Sequence, residues 1–152
     1  MALEIEHKYL VKDSSYRDMA TASYDIKQGY LSRVPERTVR VRSLGDKGFI
    51  TVKGVTRDCV RAEFEYEIPL KDASELLAMC LPPVIEKRRY IVPFDGKRWE
   101  VDEFGGDLQS LVLAEIELSS ENETYTLPPF TGKNVTGDPA YYNSNLSSLV
   151  EC

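Results

Sequence analysis

The run Leu3-Glu4-Ile5-Glu6-His7-Lys8-Tyr9 constrains this chain more than any other segment. Successive side chains of a β-strand point to opposite faces. Glu4, Glu6 and Lys8 therefore share one face, and Leu3, Ile5, His7 and Tyr9 the other. Residues two apart on a face sit roughly 7 Å from each other, so two carboxylates and an ammonium crowd one surface. The same layout recurs down the chain. Arg40 and Arg42 alternate with Val39 and Val41, and Lys53 ends FITVK. Arg61, Glu63, Glu65 and Glu67 alternate with Ala62, Phe64, Tyr66 and Ile68. Lys87 and Arg89 follow from EKRRY, Glu100 and Asp102 from WEVDEF, and Glu115 and Glu117 from AEIEL.

Turn signals divide these segments. Gly45 to Gly48, Asp95-Gly96 and Gly105-Gly106 separate strands predicted over 37–43, 49–53, 85–92, 97–104 and 111–118. Residues 26–32 and 60–68 also read as extended. A short helix is expected within 13–23, capped by Asp13 or Ser14, and a second over 72–80, stopped by Pro82-Pro83. The stretch after 119 is polar and turn-rich, with a terminal helix expected over 139–150. About eight short strands and two or three small helices predict a mainly β (α+β) domain over 1–152. Its expected core is an antiparallel sheet that curls or closes into a barrel.

A solvated sheet face would also alternate in this way. Three features argue for an enclosed one. Thr, Ser and Gln are scarce at the charged positions, the charges come in acidic and basic blocks, and Arg recurs beside Lys, which suits multidentate recognition of oxyanions. Closure turns such a face into a lumen, where many charges need ligands to satisfy them. Cationic rows suit a polyanion, and carboxylate rows suit hard divalent ions such as Mg²⁺ or Mn²⁺. Together they favour phosphoryl-transfer chemistry.

The net charge of -6 argues against non-specific nucleic-acid binding. No apolar run approaches the ~20 residues of a membrane-spanning helix, and no signal peptide is visible. Cys59, Cys80 and Cys152 are scattered, read as free thiols of a reducing cytoplasm, and make a zinc site improbable.

Glu4-Ile5-Glu6-His7-Lys8 resembles the ExExK signature of the CYTH group, the triphosphate tunnel metalloenzymes. The similarity continues through Gln28-Gly29-Tyr30-Leu31, VRVR, TVKG, RAEFEYEI, EKRRY, WEVDEF, AEIEL and the tail LPPFTGKNVTGDPAYYNSNL. It thus covers nearly the whole chain in family order. The resemblance implies an eight-stranded antiparallel barrel forming a tunnel. It implies metal ligation by Glu4, Glu6, Glu115 and Glu117, with Glu63, Glu65, Glu100 or Asp102 at a second site. Lys8, Arg40, Arg42, Lys53, Lys87 and Arg89 would hold triphosphate oxygens, and Lys8 with Tyr30 would stand near the attacking water.

The expected activity is metal-dependent hydrolysis of inorganic triphosphate to pyrophosphate and phosphate. A class IV-type adenylate cyclase, a nucleoside or thiamine triphosphatase and a non-catalytic polyphosphate-binding module are the alternatives. The expected partner is a small-molecule triphosphate, and a homodimer is an allowed assembly. His7 is expected outside the barrel, Trp99 in a core, Arg61 and Glu67 as partners of one another, and Lys133 and Tyr141 in a plugging tail.

Overall fold

The computed structural model describes residues 3–108 and 110–141. Among these, nine strands form: β1 (Leu3–Val11), β2 (Ala22–Ser32), β3 (Thr38–Leu44), β4 (Lys47–Lys53), β5 (Val60–Ile68), β6 (Leu81–Phe94), β7 (Lys97–Phe104), β8 (Val112–Glu117) and β9 (Thr131–Asn134). Two helices, α1 (Tyr16–Met19) and α2 (Leu70–Ala78), interrupt them.

Every strand pairing is antiparallel, in the order β5-β4-β3-β2-β6-β7-β8-β1. The ring closes where Leu3, Glu4 and Ile5 of β1 pair with Ala62, Arg61 and Val60 of β5. The fold is therefore the expected closed eight-stranded barrel. β9 is an addition, laid on β1 at Tyr9 and Val11, beyond the point where β5 has left it.

Local chemistry explains most element ends. Asp95 and Gly96, both at positive φ (50° and 75°), make the two-residue turn that joins β6 to β7. α1 is the short helix expected within 13–23, and it stops before Ala22 to Gln28, which pair with β6. Asp13 does not cap α1; its Oδ1 accepts from the Ser15 N–H and hydroxyl instead. α2 begins at Leu70, earlier than expected, with Pro69 at its N-cap and no side-chain cap. Pro82 and Pro83 lie inside β6, which is longer than its apolar core suggested. Of the helix expected over 139–150, the described residues contain a single 3₁₀ turn, Pro139–Tyr141. Positions 142–150 and Cys152 lie outside the described residues.

The hydrophobic core sits outside the barrel wall. Val92, Trp99, Val101, Ala114 and Ile116 face outward and are covered by Tyr16, Leu118 and Phe130. Each of the larger aliphatic side chains fully buried here, such as Val92, Val101 and Ile116, contributes about 1.5–3 kcal/mol. On the opposite side Ala73 and Leu77 of α2 cover Val41. This close approach requires glycine in the wall: a Cβ at Gly48 would lie 2.6 Å from the Ala73 Cβ, and one at Gly29 2.8 Å from the Cys80 Cβ. With its apolar faces occupied on the exterior, the barrel leaves its ionic face for the interior.

Candidate active site

Four strands deliver their inward side chains in one sequence from sealed end to open end. On β1 the order is Leu10, Lys8, Glu6, Glu4; on β8 it is Leu113, Glu115, Glu117. On β7 it is Phe104, Asp102, Glu100, and on β6 it is Ile85, Lys87, Arg89. Ile85, Phe104, Leu113 and Val135 pack together with Leu10, Leu108, Leu111 and Tyr141, and close one end with apolar contacts. An ion-pair layer follows, then an open cavity.

In the ion-pair layer Asp102 is 2% exposed. Its oxygens accept from Arg89 Nε at 2.8 Å and Nη2 at 2.9 Å, and meet Lys87 Nζ at 2.8 Å. Burial alone would raise this carboxyl, but Arg89 and Lys87 hold it far below the usual carboxylate range. Lys87 is pushed down to about 8 by burial, against the pull of Asp102. Lys8 contacts Glu115 at 3.4 Å and donates to the Tyr141 carbonyl at 3.0 Å. Its backbone is held on both sides, its N–H by the Thr136 hydroxyl and its C=O by the Val135 N–H. Tyr30, 6% exposed, lines the compartment beside Lys8.

The open cavity is bordered by seven carboxylates, Glu4, Glu6, Glu63, Glu65, Glu100, Glu115 and Glu117, against four cations, Arg40, Arg42, Lys53 and Arg89. The cations occupy β3, β4 and β6. Arg40 and Arg42 approach Glu65 at 3.5 and 3.1 Å, and Thr51 donates to the same oxygen at 2.9 Å. Burial, then the charges of Arg40 and Arg89, lower Arg42 to about 10. The buried Nε atoms of Arg40 and Arg42 have no hydrogen-bond partner among the described residues. Unmet guanidinium donors in a cationic row fit an oxyanion.

The acidic side carries opposite strain. Burial, then the charges of Glu115 and Glu4, raise Glu6 well above the usual range. Burial, then a hydrogen bond with Glu4, lifts Glu63 to about 7. Glu117 is raised by burial and by Glu4 and Glu100. Burial would raise Glu4 also, but Lys53 holds it at about 2. Crowded hard oxygen donors in excess of the cations are the donor set that Mg²⁺ or Mn²⁺ prefers. The residues therefore fit such an ion, although no three acidic side chains stand ready as a cage among the described residues.

Most of the side chains singled out in the sequence converge here. Lys87 and Asp102 belong to the buried ion-pair layer and do not border the open cavity. Arg61 is not paired with Glu67; it donates to the Gly54 carbonyl and the Thr38 hydroxyl and lines the compartment of Lys8. Thr51 was missed, although its parity with Lys53 was readable. Val135, Thr136 and the Tyr141 carbonyl were missed because nothing in sequence signals a backbone contact across more than 120 residues. His7 lies outside the barrel with its Nδ1 2.5 Å from the Tyr125 hydroxyl, and Trp99 is fully buried, both as expected.

A closed antiparallel barrel whose interior sets a carboxylate wall against a guanidinium and ammonium wall defines a class of charged-tunnel proteins. The CYTH domain family matches residues 2–144, and the chain belongs to that family. It is 48% identical over 147 residues to an inorganic triphosphatase of Acetivibrio thermocellus, covering 96% of this chain and 94% of that one. An inorganic triphosphatase of Nitrosomonas europaea is 32% identical over 151 residues, covering 97% and 98%. A crystal structure of an inorganic triphosphatase superposes with a TM-score of 0.70 at 32% identity, over 97% of this chain and 95% of that one.

Proposed function

We propose that this chain is a phosphoanhydride hydrolase that cleaves inorganic triphosphate to pyrophosphate and phosphate with Mg²⁺ or Mn²⁺. The observation that carries the reading is the pair of opposed walls in one cavity of the barrel interior, with two buried guanidinium N–H donors unmet. Two near-full-length relatives that bear the name inorganic triphosphatase support it.

Arg40, Arg42, Lys53 and Arg89 would grip the non-bridging phosphoryl oxygens and stabilise the charge that spreads over them as the bond breaks. Asp102, with both oxygens engaged, serves as the positioning residue that aims Arg89. Glu4, Glu6, Glu115 and Glu117 would hold the divalent cation, with Glu63, Glu65 and Glu100 as further ligands. That cation would act as a Lewis acid on phosphoryl oxygens. Lys8 and Tyr30 border the attack side, with Lys8 kept protonated against burial by Glu115 and Glu6. The apolar seal of Ile85, Phe104 and Leu113 excludes bulk water from the far end. Free thiols at Cys59 and Cys80 fit a reducing cytoplasm.

The test supplies tripolyphosphate, ATP and thiamine triphosphate in turn with Mg²⁺ or Mn²⁺, and follows phosphate, pyrophosphate and cyclic AMP. Phosphate released from tripolyphosphate in preference to the others supports the reading. Cyclic AMP with pyrophosphate would assign a cyclase, and binding without turnover a polyphosphate-binding module.

A further inference from the structure

We infer that Lys53 is a resident counter-ion of the acidic wall, which keeps Glu4 from taking a divalent cation until a triphosphate draws the ammonium away. The inference rests on the triphosphatase reading and adds a coupling between its two ligands.

Lys53 Nζ lies 2.9 Å from Oε1 and 3.0 Å from Oε2 of Glu4, and 3.3 Å from Oε2 of Glu63. The ammonium thus spans both oxygens of one prospective ligand and touches a second. Mg²⁺ needs carboxylate oxygens at 2.0–2.1 Å, so sharing Glu4 would bring two cationic centres within about 4 Å of each other. One must leave.

The side chain is able to move. A lysine carries a compact charge on a flexible four-carbon stem, unlike the planar fork of arginine. Lys53 borders both the open cavity and the compartment of Lys8 and Tyr30, so a change of rotamer keeps it in the interior. A triphosphate gripped by Arg40 and Arg42 offers the ammonium more negative charge than Glu4 does. Once Lys53 turns to phosphoryl oxygen, Glu4 and Glu63 are released to a divalent cation. Each ligand then tightens the other, since coupling between sites is reciprocal. Without triphosphate the cavity discriminates against stray divalent ions.

Mn²⁺ binding to the purified protein, read by calorimetry and by the electron paramagnetic resonance of free Mn²⁺, tests this without turnover. It is measured for wild type, Lys53→Met, Lys53→Arg and Glu4→Gln, with and without a methylene-bridged, non-hydrolysable tripolyphosphate analogue. The analogue is expected to tighten Mn²⁺ binding to wild type. Lys53→Met is expected to bind Mn²⁺ about tenfold more tightly in the absence of analogue and to lose most of the gain from it. Lys53→Arg keeps the charge and is expected to bind Mn²⁺ with near wild-type affinity in the absence of analogue. If folded Lys53→Met binds Mn²⁺ no tighter than wild type, or if Lys53→Arg tightens equally, the counter-ion role is wrong while the triphosphatase reading stands. Unchanged Mn²⁺ affinity in Glu4→Gln with the analogue bound removes the metal role of Glu4 itself, and with it this inference. Inert tripolyphosphate in the turnover assay is the separate failure of the proposed function.

Discussion

At the scale of single residues, the interior charges divide by what already holds them. Glu6 and Arg42 face the open cavity with excess like charge around them, so their removal takes away ligand contacts and little structure. Glu6→Ala or Arg42→Ala is expected to lower the turnover of tripolyphosphate by about 10²–10³-fold, as loss of one transition-state contact does, with an unchanged circular dichroism spectrum. Near-normal turnover in either folded variant would remove that residue from the machinery. Asp102 is different, because it is the shared anion of Arg89 and Lys87 in a fully buried layer. Asp102→Ala takes the nearest anion from two buried cations and is expected to cost about 3–5 kcal/mol in chemical denaturation, as well as activity. A stable, inactive Asp102→Ala protein would instead point to a direct role at the substrate.

At the scale of elements, two helices serve the wall from outside. α2 lies against β4 only because residue 48 has no side chain. Gly48→Ala drives a Cβ into Ala73 and is expected to cost about 1–3 kcal/mol of stability, with turnover retained by the folded fraction. Loss of turnover without loss of stability would show that α2 reaches the chemistry. α1 is tied to β7 through Glu103, which accepts from the Tyr16 hydroxyl and, at 2.6 Å, from Arg17 Nε. Burial opposes the ionised form of Glu103, but Arg17 and Tyr16 win and lower its pKa below the ordinary 4.5. A carboxyl depressed on folding adds stability above its unfolded pKa and loses it as pH falls through the folded one. Glu103→Gln is therefore expected to melt below wild type at pH 7, with the gap closing as pH falls below the ordinary 4.5 and through the lowered folded pKa. A gap that persists in acid would mean packing, not charge, holds α1.

At the scale of the whole molecule, the cavity is short of positive charge, with seven carboxylates against four cations. Folding has gathered groups that repel, and ligands that neutralise them must stabilise the barrel. Mn²⁺ with the non-hydrolysable analogue, each at about 100 times its Kd, is expected to add roughly 2.7 kcal/mol per independent site, visible as a raised melting temperature. No shift at those concentrations would contradict a cavity built for these ligands.

Strand parity, read from Glu4-Glu6-Lys8, Arg40-Arg42 and Glu115-Glu117, was enough to assign the interior set, since a period of two commits alternate residues to one face. The turn at Asp95-Gly96 was equally legible, because so few residues adopt positive φ at both positions. Parity says nothing, however, about depth along the barrel or about which charge meets which. Closure put Leu10, Phe104 and Leu113 at one end, sank Lys87 and Asp102 beneath the cavity, and brought Thr136 and Tyr141 onto Lys8. Those outcomes depend on strand stagger and on contacts across more than a hundred residues, so the residue pattern determined which side chains face inward, and only the folded barrel decided how far in each one stands and what it touches.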